Sequence, residues 1–163
     1  MQKKVNNICV GKILILSSLF LIFNFCTATK NSIDPKFRKM SKIEWLQETN
    51  SLNVYEEFLV SGVNKSIGEP EKCAIDIFGN TDCSHCISEI AKILKILDYY
   101  SFTEDNVSIY NVNDDFEEIS GSYKKYNIYS VPVIFIKKNG ILKGKSEGPI
   151  FTWENDIIKY CND

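Results

Sequence analysis

Gly79-Asn80-Thr81-Asp82-Cys83-Ser84-His85-Cys86, written GNTDCSHC, places two thiols three positions apart around the only histidine of the chain. Such a pair can be a redox couple, part of a metal site, or a permanent disulfide. The flanking sequence bears on the choice. Before the pair, Cys73–Phe78 (CAIDIF) has the apolar, β-rich composition of a short strand. After it, Ile87, Ile90, Ala91, Leu94 and Leu97 recur at the spacing of one helix face. The two cysteines therefore stand where a strand ends and a helix begins.

That location has a chemical consequence. The first-turn amides of a helix lack intrahelical partners, and the positive end of the dipole favours an anion. A thiolate at Cys83 would be stabilised there, and the thiolate is the nucleophile in disulfide exchange. Cys86, one turn further in, would resolve the mixed disulfide. His85 and Asp82 are the expected tuning residues. An imidazolium near Cys83 would favour the reduced state, and a neighbouring carboxylate would oppose it. A closed zinc site needs four protein ligands, and only Cys83, His85 and Cys86 are candidates, so no metal is assigned. A copper-handling site built from the same three residues stays open as an alternative.

Beyond the helix, Val107–Val112 (VSIYNV) reads as a second strand, and Phe116, Ile119, Tyr123 and Tyr126 as a second amphipathic helix. Val131–Lys145 reads as two strands joined at Asn139-Gly140, the strongest short hairpin signal. Gly148-Pro149 breaks the second of these, and Ile150, Trp153, Ile157, Ile158 and Cys161 mark a closing helix. The order is β-α-β-α-β-β-α, an α/β class with a small mixed sheet flanked by helices.

With Ser130–Gly140 (SVPVIFIKKNG) as a second landmark and Gly148 as a third, the chain over residues 70–163 resembles the thioredoxin family. The resemblance implies a cis bond before Pro132, with Val131 and Pro132 facing the dithiol and pairing with an extended substrate segment. It implies a thiol–disulfide oxidoreductase with Cys83 and Cys86 as catalytic residues and no dissociable cofactor. Asp82 stands where thioredoxins usually carry Trp. Ile77 stands where they carry a buried acid, which puts Asp76 on the opposite face of the strand. A histidine before the second cysteine is similar to the disulfide-forming oxidases and isomerases of oxidising compartments, but no large helical insertion fits between Cys86 and Pro132. The resemblance favours a reductant acting on cysteines of envelope proteins, with an oxidase or isomerase as the alternative. In this fold Cys73 and Cys161 fall at the end away from the dithiol, where they would form a structural disulfide.

The N-terminus bears on location. Lys3, Lys4 and Lys12 precede the apolar run Ile13–Phe25, and no acidic residue occurs before Asp34. About a dozen apolar residues suit a signal peptide better than a membrane span, which needs ~20. Residues 1–28 are expected to be a signal peptide or anchor, with Cys26 a candidate for lipidation, and residues 29–40 a polar tether. The domain is then 41–163, extracytoplasmic, and either membrane-tethered or secreted. Its expected partners are cysteine-containing client proteins and a membrane redox protein. A formal charge of −2 over 163 residues gives no reason to expect nucleic acid.

Overall fold

The computed structural model describes residues 39–62, 66–112, 127–148 and 150–163, with only the backbone at 150 and 151. The expected signal segment with Cys26, and the expected helix around Phe116–Tyr126, lie outside the described residues. Among the described residues, no helix is long and apolar enough to cross a membrane.

The elements in chain order are β1 (Lys39–Met40), α1 (Lys42–Glu48), α2 (Leu52–Glu57), β2 (Cys73–Gly79), α3 (Ser84–Tyr99), β3 (Val107–Asn111), β4 (Val133–Lys138), β5 (Ile141–Ser146) and α4 (Ile150–Asn162). The strands form one mixed sheet in the order β1-β3-β2-β4-β5. Strands β2 and β3 are parallel, with α3 as their crossover, while β4 runs antiparallel to both β2 and β5. The β4–β5 hairpin turns on Asn139 and Gly140, whose φ values of 52° and 76° are those the tight turn demands.

Strand alternation divides the core. Ile75, Ile77, Ile134 and Ile136 face α3 and join Trp45, Cys86, Ile90, Leu94 and Trp153 in the larger cluster. Phe78, Val133 and Phe135 face the other way, with Val112 and Ile128. Asp76 belongs to this second face, where it is buried and ion-paired with Lys137. It is on the wrong face to assist Cys86, as the alternation of the strand requires.

One expectation is corrected. Lys39 and Met40, assigned to the tether, form β1, antiparallel to β3, and Met40 is buried opposite Ile109. A two-residue strand is too short for periodicity to reveal it. Directly after it, Ser41 caps α1 through a reciprocal capping box. Ser41 Oγ accepts the Glu44 N–H at 3.2 Å, and the Ser41 N–H donates to Glu44 Oε2 at 2.8 Å. Helices α1 and α2 pack on α3, where Asp98 receives both Lys42 Nζ, at 2.8 Å, and the Tyr55 hydroxyl. Helix α4 is held to α3 by polar side chains within the core: Trp153 Nε1 donates to Glu89 at 3.1 Å, and the Tyr100 hydroxyl donates to Glu154 at 2.7 Å.

Candidate active site

The register of the sheet brings three segments to one edge. Gly79 ends β2 opposite Asn111, the last residue of β3, and Phe78 pairs with Val133, the first residue of β4. The segment 80–86 and the Val131-Pro132 turn therefore leave the sheet at the same end.

Four side-chain and main-chain contacts shape the approach to the dithiol. Asn80 Oδ1 accepts the Asp82 N–H at 2.7 Å, and its carbonyl accepts the Cys83 N–H at 3.2 Å. From the neighbouring strand, Asn111 Oδ1 accepts the Thr81 N–H at 3.2 Å while Asn111 Nδ2 donates to Thr81 Oγ1 at 3.1 Å. Cys83 then caps α3 with sulfur in the role usually taken by a hydroxyl or carboxylate. Its Sγ accepts the Cys86 N–H at 3.2 Å, and its carbonyl accepts the Ile87 N–H at 2.9 Å.

The two thiols are free, and their surroundings differ. Cys83 is partly exposed and Cys86 is fully buried. Burial, reinforced by the hydrogen bond with Cys83, pushes the Cys86 thiol up to about 12, against the opposing pull of the Asn80 backbone amide. One sulfur can be approached from solvent, and the other keeps its proton one helical turn below. That is the division of labour which two-step disulfide exchange requires.

Strand order β1-β3-β2-β4-β5, a parallel β2-α3-β3 unit and a CxxC that caps the crossover helix now stand together. The fold is that of thioredoxin. The Val131–Pro132 peptide bond is cis, as the resemblance implied. No protein-family model matches the sequence, and no curated protein matches it either. Solved structures similar to the chain include thioredoxin O2 of Arabidopsis thaliana in its oxidised state. It is 18% identical with a TM-score of 0.41, covering 69% of this chain and 86% of that one. A point-mutant thioredoxin of Halobacterium salinarum is 12% identical with a TM-score of 0.40, covering 55% and 75%. A designed protein is 22% identical with a TM-score of 0.41, covering 54% and 78%.

The other expected site residues differ in burial. Val131 is half-buried and packs against both core clusters, Pro132 is buried, and Asp82 and His85 are exposed. Among the described residues, no group of three or more His, Cys, Asp or Glu is arranged to hold a metal ion. Cys73 and Cys161 are joined as a disulfide with Cα atoms 5.8 Å apart. They lie at the far end of β2 from the dithiol, about 20 Å away at the usual rise of a strand.

Asn80 and Asn111 were missed by sequence reasoning. Asn80 had a local signal, since an Asn two residues before an amide is the composition of an Asx turn. Asn111 had only a negative one: asparagine is disfavoured in strands, so its place at a strand end needed a polar partner that the sequence does not name.

Proposed function

We propose that the chain is a thiol–disulfide oxidoreductase working outside the cytoplasm, and that it reduces disulfides of envelope proteins. The observation that carries this reading is the pairing of a partly exposed, helix-capping Cys83 with a buried Cys86 one turn away.

In the reducing direction the Cys83 thiolate attacks one sulfur of a client disulfide. A bond forms from Cys83 to that sulfur, and the other client sulfur departs as a thiolate. Cys86 then gives its proton to solvent and attacks Cys83 Sγ, which releases the second client sulfur and closes the Cys83–Cys86 disulfide. Two electrons pass from the dithiol to the client, and a membrane redox partner must return them. No dissociable cofactor enters the cycle. Val131 and Pro132 are the proposed client-facing turn, pairing with an extended segment through the main chain. Asp82 and His85 flank the nucleophile and set its potential. Export is supported by the basic and apolar N-terminal residues and by the second disulfide, since such bonds persist in oxidising compartments. In this reading Cys26 carries a lipid or is lost with the signal.

The test is trapping. Cys86→Ala should accumulate mixed disulfides between Cys83 and client proteins in cells, and Cys83→Ala should accumulate none. If neither variant traps a client, the exchange reading fails. The potential of the Cys83/Cys86 couple sets direction: a value near about −270 mV supports the reductant, and one near about −120 mV the oxidase.

A further inference from the structure

We propose that Asn111 is a positioning residue for the nucleophile, holding the turn that aims Cys83 at the helix cap. The inference rests on the exchange reading above and adds to it a residue of β3, outside the CxxC segment. Residues 80–83 form a β-turn, closed where the Asn80 carbonyl accepts the Cys83 N–H at 3.2 Å. Within it the Asn80 side chain accepts the Asp82 N–H at 2.7 Å, so one asparagine engages the two amides that precede the helix. The amide of the remaining residue, Thr81, has no partner inside such a turn. Asn111 supplies one from the neighbouring strand. Its Oδ1 accepts the Thr81 N–H at 3.2 Å, and its Nδ2 donates to Thr81 Oγ1 at 3.1 Å. Asn111 is 2% exposed, so both ends of its carboxamide act within the protein. The Val112 N–H donates to the Gly79 carbonyl at 2.8 Å and fastens the entry to the same turn. Every amide from Thr81 to Cys83 is held, and the turn is stitched to the sheet.

What the turn delivers is the direction of the Cys83 N–H, and with it the rotation about the N–Cα bond. Cys83 has φ −94° and ψ 109°, and from there its Sγ meets the Cys86 N–H at 3.2 Å. A hydrogen bond donated to that sulfur favours the anion that attacks. A turn free to rock would carry the sulfur off the cap, and attack would slow. A merely structural tie predicts the opposite sign. Loosening a loop opens it to solvent, so Cys83 would react as fast or faster, and the buried Cys86 would begin to react as well. The direction of the change in Cys83 reactivity therefore separates the two roles.

The experiment alkylates the reduced full chain with iodoacetamide at neutral pH. Peptide mass mapping follows each cysteine separately, which keeps Cys9 and Cys26 apart from the site. In Asn111→Ala the Cys83 rate should fall about fivefold, the scale of one hydrogen bond, while Cys86 stays unmodified. Thr81→Val loses only the hydroxyl contact and should lower the Cys83 rate about twofold. Thr81→Ser keeps the hydroxyl and should match the parent. Should Asn111→Ala fail to fold, the Thr81 pair carries the test alone. A parental or faster Cys83 rate in folded Asn111→Ala and Thr81→Val overturns the proposal. New labelling of Cys86, or a serine variant as slow as the valine one, also overturns it, because each marks a general structural role. A second arm tests the exchange reading by itself. 5,5′-Dithiobis(2-nitrobenzoate) should convert the reduced wild type to the Cys83–Cys86 disulfide. The Cys83 thiolate displaces one thionitrobenzoate, and Cys86 displaces the second while its proton goes to solvent. A wild-type chain that stops at the mixed disulfide on Cys83 overturns the exchange reading, and this inference with it. Alkylation needs no exchange, so parental alkylation in the variants of a chain that does close the disulfide overturns this inference alone.

Discussion

Between Cys83 and Cys86 the helix climbs about 4.5 Å. Over that distance a thiol passes from a partly exposed cap to a site with no exposed surface. Reactivity should divide accordingly. Iodoacetamide at neutral pH should modify Cys83 and spare Cys86 in the reduced folded protein, as read by peptide mass mapping, and modification of Cys86 first would refute the assignment of roles. The raised thiol also ties stability to pH. Folding moves Cys86 from 9.0 to about 12, with burial as the leading cause. Below the lower value both states hold the proton, and stability has no dependence on this group. Between the two values the unfolded chain has lost the proton and the folded chain keeps it, so stability falls as pH rises, by at most about 1.4 kcal/mol per pH unit. The margin between reduced wild type and reduced Cys86→Ala should therefore shrink as pH rises from about 9 towards 12 in denaturant titrations. A margin constant with pH would show that burial does not hold the proton on Cys86. Tyr55 and Tyr100, also raised by burial and by their carboxylate partners, are common to both proteins and cancel.

At the scale of elements, the helix and hairpin that define the fold were legible because local chemistry and tertiary demand agree there. The apolar face of α3 is also its buried face, and Asn139-Gly140 supplies the two positive φ values that its turn needs. Agreement fails where an element is short or its partner distant. Ile43 and Leu59, both large and apolar, are 56% and 86% exposed, while Trp45 is wholly buried. Choosing among these requires knowing where α1 meets the sheet, which no local periodicity states. Asn111 is the same case within the site, since its partner Thr81 is on another element 30 residues away. The disulfide between β2 and α4 makes the energetic side of distance testable. Cys73 and Cys161 are separated by 88 residues in sequence, and closing a loop of that length removes unfolded-state entropy worth about 4.6 kcal/mol in the chain-entropy account. The double substitution Cys73→Ser, Cys161→Ser should lower unfolding free energy by about 2–4 kcal/mol in denaturant titration. The potential of the Cys83/Cys86 couple should stay within error of the parent, because the two sites lie at opposite ends of β2. A shift in that potential as large as the stability loss would mean that the two cysteine pairs are coupled.

For the folded molecule, the question is whether residues 39–58 decorate the sheet or complete it. Their contacts argue for completion. Trp45 from α1 is fully buried in the cluster that also holds Cys86, and Gly79, at the end of the strand leading to the dithiol, leaves the room its ring occupies. A Cβ at Gly79 would overlap Ile90 and press on the Trp45 ring, so β2, α3 and α1 meet at one point. Asp98 adds a polar tie from the far end of α3 to Lys42 and Tyr55, and Lys95 Nζ stands 4.6 Å from the centre of the Tyr55 ring. An appendage held by such ties alone would contribute little, because ion pairs that keep contact with solvent are worth at most about 1 kcal/mol. A buried indole is different: truncating one leaves a cavity, and the usual cost is about 3–5 kcal/mol. Trp45→Ala should therefore destabilise the domain by that amount in denaturant titration, through one cooperative transition at lower denaturant rather than the early melting of a separate segment. Trp45→Phe should cost less, since it keeps most of the ring volume and the indole N–H has no hydrogen-bond partner among the described residues. If Trp45→Ala changed stability by less than about 1 kcal/mol, α1 would be dispensable and the core would end at β3. If it instead melted α1 and α2 alone, these helices would form their own unit against a complete thioredoxin-fold body.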